Sequence, residues 1–150
     1  MTRSKSFLVL LLFVVLIAAT TQHPEPVQIN VPTGWPVPTY NFSKNPLTKA
    51  GIALGRKLFY DPILSVDSIV SCSSCHLSYT AFTHVDHAVS HGIRDRIGTR
   101  NSPALMNLAW GASFMWDGAV NHLDMQALAP IAHPDEMGED VAHVIAKLER

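Results

Sequence analysis

"CSSCH", Cys72 to His76, holds both cysteines of the 150-residue chain, three positions apart, with a histidine directly after the second. C-x-x-C-H is the attachment signal for c-type haem. Two cysteines one helical turn apart can each form a thioether with one of two vinyl groups on a single porphyrin edge. His76 is then placed under the ring, where a neutral imidazole nitrogen binds iron. Its other ring nitrogen is expected to donate to a carbonyl, which fixes the tautomer and the orientation of the ring. Two other chemistries use these residue types. A thioredoxin-like dithiol needs a βαβ setting, and none is visible. A zinc site needs a closed set of ligands, for which His84, His87 and His91 are the available additions.

The ends of the chain differ from its middle. Arg3 and Lys5 precede an unbroken apolar run, "FLVLLLFVVLIAA" (Phe7 to Ala19), followed by polar "TTQHPEP". This pattern predicts a secretory signal peptide over residues 1–20, and the run is short for a membrane span. "AATTQ" is only an approximate cleavage site, so an uncleaved anchor is the alternative. No cysteine lies near the end of the run, which excludes a lipid-modified N-terminus. Lys+Arg (11) nearly cancels Asp+Glu (12). Without a basic stripe, nucleic acid is not expected as a partner.

Residues 21–46 read as a Pro-rich extended arm, since six of the ten prolines fall between Gln22 and Pro46. Proline fixes φ and removes a donor. Trp35, Tyr40 and Phe42 are the residues that would anchor the arm to a domain. Residues 47–150 form that domain. "TKAGIALGRKLFY" (48–60) predicts a helix whose ridge is Ala50, Leu54 and Leu58, ended by Asp61-Pro62. "DPILSVDSIVS" reads as a loop, "CSSCH" as a helical turn, and 77–103 as a long ordered loop. "PALMNLAW" predicts a short helix opened by Pro103, and "HLDMQAL" another, stopped by Pro130. In "GEDVAHVIAKLER", Val141, Val144, Ile145 and Leu148 mark an amphipathic helix. That helix runs to Arg150 without a stop signal. The expectation is an all-α domain with long ordered loops, incomplete at its C-terminus.

The second axial position separates a carrier from a catalyst. A carrier fills both, commonly with His and Met, and Met106, Met115, Met125 and Met137 are the methionines available. A peroxidase opens one position and sets an acid–base group above the iron. The single-haem electron-transfer reading with His/Met ligation therefore stands beside the catalytic one.

Four stretches resemble the N-terminal half of bacterial di-haem cytochrome c peroxidases and the related methylamine-utilisation enzymes. They are "LGRKLFYDPILSVDSIVSCSSCHLSYTAFT", "GTRNSPALMNLAW", "FMWDG" and "QALAPIAHPDEM", in consistent order. The resemblance implies a cytochrome c-like fold and a periplasmic protein. It would reduce hydrogen peroxide to water with electrons from a small donor such as a c-type cytochrome. By motif, Cys72 and Cys75 attach haem c and His76 is the proximal ligand. His91, in "SHG", matches the resting distal ligand. Glu136 matches the acid–base group and Gln126 the residue that orients peroxide. Trp116 matches the aromatic residue between two haems, and Asn101 a calcium ligand. Arg100 is a candidate partner for a haem propionate, in competition with Arg56, Arg94 and Arg96. A relative that oxidises a protein substrate fits the same motifs.

The family pattern includes a second, C-terminal haem domain and a homodimer of the full-length protein. With no further cysteine, this chain has no second C-x-x-C-H. It is therefore expected to be the peroxidatic half of a longer protein, binding one haem and only weakly active alone.

Overall fold

Thr48 begins the first helix because its hydroxyl accepts the Gly51 N–H at 3.0 Å, meeting a donor that the helix itself cannot satisfy. Helix α1 then runs Lys49–Tyr60 and stops at Asp61, where extended backbone precedes Pro62. The structure is a computed structural model that describes residues 24–150; the signal segment predicted over residues 1–20 lies outside them. Helix α2 is Cys72–Cys75, α3 Leu123–Gln126, α4 Leu128–Ala132 and α5 Val141–Leu148. Among the described residues no β-strand forms, and no helix is long and apolar enough to cross a membrane. The described residues are all-α, with loops making up much of their length.

Those loops are closed by backbone pairs. Isolated antiparallel bridges join Leu77 to Thr83, His91 to Ile97 and Phe114 to Val120. Each pinches a seven-residue loop beside a candidate site residue. The arm is held as well: Trp110 Nε1 donates to Pro36 O at 2.8 Å, Trp35 packs edge-on against Trp110, and the Tyr40 hydroxyl donates to Asp124 at 2.6 Å. That bond holds the Asp124 carboxyl below its usual range and the Tyr40 hydroxyl above its own.

Several local expectations are corrected. "PALMNLAW" gives only the 3₁₀ turn Leu108–Trp110, because Asn107 adopts left-handed backbone (φ 55°) and breaks the helical path. Asparagine tolerates that region better than most residues. Pro130 does not stop a helix but lies inside α4. It occupies the first turn, where a missing N–H leaves no hydrogen bond unmade. Glu136 sits in a turn before α5, which begins after the Asp140 cap. The α1 ridge is carried by half-buried Leu58; Leu54 is exposed. The reason is that α1 packs against α2 and the Pro62–Leu64 turn through its C-terminal end. The last helix closes at Leu148 with Glu149 as its cap.

The central cluster is small: Leu64, Ile131, Met137 and Val144, flanked by Leu58, Ile63 and Val70. Beside it lies an ion pair. The Glu139 side chain is 2% exposed and pairs with Lys147, whose Nζ also donates to Ser65 O at 2.7 Å and Ile63 O at 3.3 Å. Lys147, then burial opposing it, sets the Glu139 carboxyl, with the balance below the usual value. This pair fastens α5 to the turn that leads into α2.

Replacing Lys147 by Met strands that carboxylate. The expected loss in urea unfolding at pH 7 is about 3 kcal/mol, the low end for one-sided removal of a buried pair, since Lys147 keeps some contact with water. A depressed folded pKa stabilises above the unfolded value and ceases to do so as pH falls through the folded one. The gap between wild type and variant should therefore shrink as pH falls below about 4.5, Glu139's ordinary value.

Candidate haem site

Residues 61–71 deliver the cysteines. Ser65 is fully buried, and its Oγ accepts from the N–H groups of Ile69 and Val70, both at 3.2 Å. That hub bends the chain into Ser71, whose N–H donates to Ser74 Oγ at 3.1 Å and so caps α2. Cys72 and Cys75 then lie one turn apart, both half-buried and both free thiols. Burial raises each thiol's pKa, and at Cys75 the nearby Glu136 charge adds to it. Thiols raised in this way are poor redox nucleophiles, which counts against the dithiol reading.

His76 follows as the cap of α2, donating its backbone N–H to Cys72 O at 3.0 Å. Its Nδ1 lies 2.7 Å from Phe82 O. A carbonyl oxygen only accepts, so Nδ1 carries the proton and Nε2 keeps its lone pair. This is the second-shell arrangement of a metal-ligating imidazole. The carbonyl reaches His76 because Ala81 and Phe82 are both left-handed (φ 56° and 60°) inside the loop closed by Leu77 and Thr83. Two thiols on one turn followed by a tautomer-fixed imidazole fit haem c.

The other candidates fall into two groups. Glu136, His91 and Cys75 come together. Gly92 packs so closely on the turn 134–137 that a Cβ there would collide with Asp135 O and lie 2.5 Å from Glu136 O. Ile93 N donates to Glu136 O at 2.8 Å, and Arg96 donates to Pro134 O at 2.9 Å. On the same loop Cys75 Sγ contacts His91 O at 3.6 Å. His91 Nδ1 meets Asp95 at 2.7 Å, and its ring stacks on His87, which stacks on His84. With Nδ1 engaged, His91 keeps Nε2 as its free nitrogen.

Gln126, Met115, Trp116, Asn101 and Arg100 belong to a second group. Gln126 Nε2 donates to Met115 Sδ at 3.3 Å, while its Oε1 is buried without a partner among the described residues. Trp116 is 65% exposed, with its indole N–H on Asn101 O at 2.7 Å. Asn101 uses its side chain locally, donating to His84 O and accepting from Ser102 N. Arg100 pairs with Asp117 at 2.7 Å and lowers that carboxyl's pKa. Its guanidinium is thus already engaged. Among the described residues no three His, Cys, Asp or Glu side chains converge as a metal would require. Of the methionines, Met137 is in the core and Met106 and Met125 are exposed. Sequence reasoning missed Phe82, Ser65 and the Met115–Gln126 contact. Only the turn-forming polarity of 61–71 hinted at any of them.

The family model for di-haem cytochrome c peroxidase matches residues 49–150. The methylamine utilization protein MauG of Methylorubrum extorquens is 41% identical over 106 residues, 70% of this chain and 30% of that protein. The cytochrome c551 peroxidase of Pseudomonas aeruginosa is 39% identical over 61% of this chain and 26% of its own length. A crystal structure of a MauG-like protein associated with microbial copper homeostasis matches with a TM-score of 0.72 at 33% identity. That match covers 82% of this chain and 36% of the other, so the helices and loops described above follow a fold seen in this group. The chain spans under a third of the length of the curated relatives it matches. It belongs to the di-haem cytochrome c peroxidase family.

Proposed function

We propose that this chain is the peroxide-reducing half of a periplasmic di-haem peroxidase, with one haem c on Cys72 and Cys75. The observation that supports the reading is the backbone lock between Gly92–Ile93 and Asp135–Glu136, which brings the His91 loop, in contact with Cys75, against the Glu136 turn. When bound, haem c would supply the iron chemistry that reduces the O–O bond of peroxide. His76 would hold it through Nε2, steadied by the Phe82 carbonyl. Glu136 would accept a proton from peroxide and return it to the departing oxygen.

Gln126 orients the substrate. Sulfur carries no proton, so the amide must turn its NH₂ toward Met115 and its Oε1 away. A buried oxygen with no partner accepts readily from a hydroxyl, and peroxide has two. His91, whose Nδ1 is engaged by Asp95, would be the residue that offers Nε2 to the resting site. Trp116, with its ring largely exposed, would face a further haem domain fed by a small c-type cytochrome. Asn101, with its carbonyl and amide already engaged locally, would contribute to a calcium site only with oxygen ligands from that domain.

Haem attachment is tested by intact mass under denaturing conditions. Wild type from its native source should retain haem, and Cys72→Ser with Cys75→Ser together should lose it. Retention in the double variant would refute thioether attachment. For catalysis, Glu136→Gln in haem-loaded protein should leave haem content unchanged and lower peroxide turnover about 10²–10⁴-fold, the range of a positioned acid–base group. Unchanged turnover would remove Glu136 from the mechanism. No turnover in wild type, joined to a sulfur-to-iron charge-transfer band, would instead favour the single-haem carrier with a methionine ligand.

A further inference from the structure

We propose that Asp95 is a positioning residue for His91: its carboxylate holds the Nδ1 proton and so sets how firmly His91 offers Nε2 to the resting site. The inference rests on the reading of His91 as the residue that caps that site. It adds the group that decides how easily this histidine lets go.

Two loops of the chain have the same build. Leu77–Thr83 and His91–Ile97 each span seven residues and are closed by an antiparallel bridge. Each contains two consecutive non-glycine residues in left-handed backbone, Ala81 and Phe82 in one, Arg94 and Asp95 (φ 54° and 56°) in the other. Each turns an acceptor onto the Nδ1 of a histidine, at 2.7 Å in both cases. Strain of this kind persists only where the surroundings enforce it. Around Asp95 they do: Gly92 N donates to Arg96 O at 2.8 Å, Arg96 N donates to Ile93 O at 3.1 Å, and the Ile93 side chain is buried. Placing an acceptor on an imidazole is what the two loops share.

The acceptors themselves differ. That of His76 is a backbone carbonyl, which cannot move unless its loop opens. That of His91 is a side-chain carboxylate, 84% exposed, with no other partner among the described residues. The neighbouring Arg96 is spent on Pro134 O and Asp135. In place, a charged acceptor makes the remaining imidazole nitrogen a better ligand. Exposed to water, it is given up at small cost. The stack of His91 on His87, with ring centroids 4.5 Å apart, keeps the ring in position when the carboxylate swings away. One histidine is held permanently and the other releasably.

Two variants grade the contact. Asp95→Asn keeps the shape and a neutral acceptor, and asparagine tolerates left-handed backbone. Asp95→Gly removes the acceptor and suits the same φ. In haem-free protein at about pH 8, where imidazole is neutral, nitrogen NMR shifts of the His91 ring should place the proton on Nδ1 in wild type. In Asp95→Gly they should report a mixture of tautomers. In haem-loaded protein the resting ferric spectrum gives the ratio of low-spin, His91-held to open iron. Asp95→Gly should lower it about threefold, the scale of an exposed charged pair, with Asp95→Asn between. Added salt should move wild type toward Asp95→Gly and leave Asp95→Asn nearly unmoved. His91→Ala should remove the low-spin signal. If the signal survives His91→Ala, the reading of His91 fails and takes this inference with it. If His91→Ala removes it while Asp95→Gly leaves either the ratio or the tautomer unchanged, Asp95 has no positioning role and the reading of His91 stands. Where Asp95→Gly does not load haem, Asp95→Asn and the salt series decide.

Discussion

The hydrogen bond between His76 Nδ1 and the Phe82 carbonyl fixes the one direction on which the rest of the site depends. It commits the imidazole proton to Nδ1 and leaves Nε2 as a base aimed away from the loop. The chain pays for it with two successive left-handed residues, Ala81 and Phe82, a conformation that costs on the order of 1–3 kcal/mol per residue. Such strain persists only where neighbours over-determine it. Here the Leu77–Thr83 bridge closes the loop, Thr80 Oγ1 donates to Thr83 O at 2.7 Å, and the Phe82 ring meets Phe59 of α1 edge-on. The first helix therefore contributes to the site indirectly, by holding the loop that holds the histidine.

The same device recurs across the molecule. Short loops closed by a backbone bridge carry His91 and Met115, as the 77–83 loop carries the partner of His76. Regular structure is sparse around them, and rigidity comes from close packing between loops. Gly92 and Gly138 are needed for that. A Cβ on Gly92 would enter the backbone of the Glu136 turn, and one on Gly138, at φ 59°, would lie 2.5 Å from Ile93 Cδ1. Behind the turn, Val66 N donates to Met137 O at 3.0 Å, and the Glu139–Lys147 pair ties α5 to the Ser65 turn. Glu136 is thus fixed from both sides by residues that carry no chemistry themselves.

Much of this was legible in the sequence where one residue dictates one geometry. Thr48 and Asp61-Pro62 bounded α1, the cysteine spacing placed α2, and the carbonyl partner of His76 was required before Phe82 was known to supply it. The motif "SHG" and the motif "PDEM" named His91 and Glu136, and the structure brings their loops into contact. What escaped were features set by tertiary contact. Nothing in "YTAFT" announces two left-handed residues, since neither is glycine. Pro130 reads as a stop until its place in a first turn is seen. Leu54 obeys the helical period yet has no neighbour to cover it. Glu139 and Lys147 lie eight apart across a helix start, a spacing that no local rule pairs.

The polar atoms of the site share one character. Both site histidines use Nδ1 on an acceptor of their own loop, Phe82 O for His76 and Asp95 for His91. The thioether of Met115 turns Gln126 so that its oxygen, not its nitrogen, is the unpartnered atom. Two imidazole nitrogens and one amide oxygen are therefore presented as lone pairs, each oriented by a partner that can only accept. Lone pairs bind a Lewis acid or receive the hydrogens of a hydroxyl, but they cannot deliver a proton. That task falls to a carboxyl, which can hold a proton or release it. Glu136, in the turn that Gly92 and Ile93 lock against the His91 loop, is the carboxyl that the proposed peroxide reduction would use.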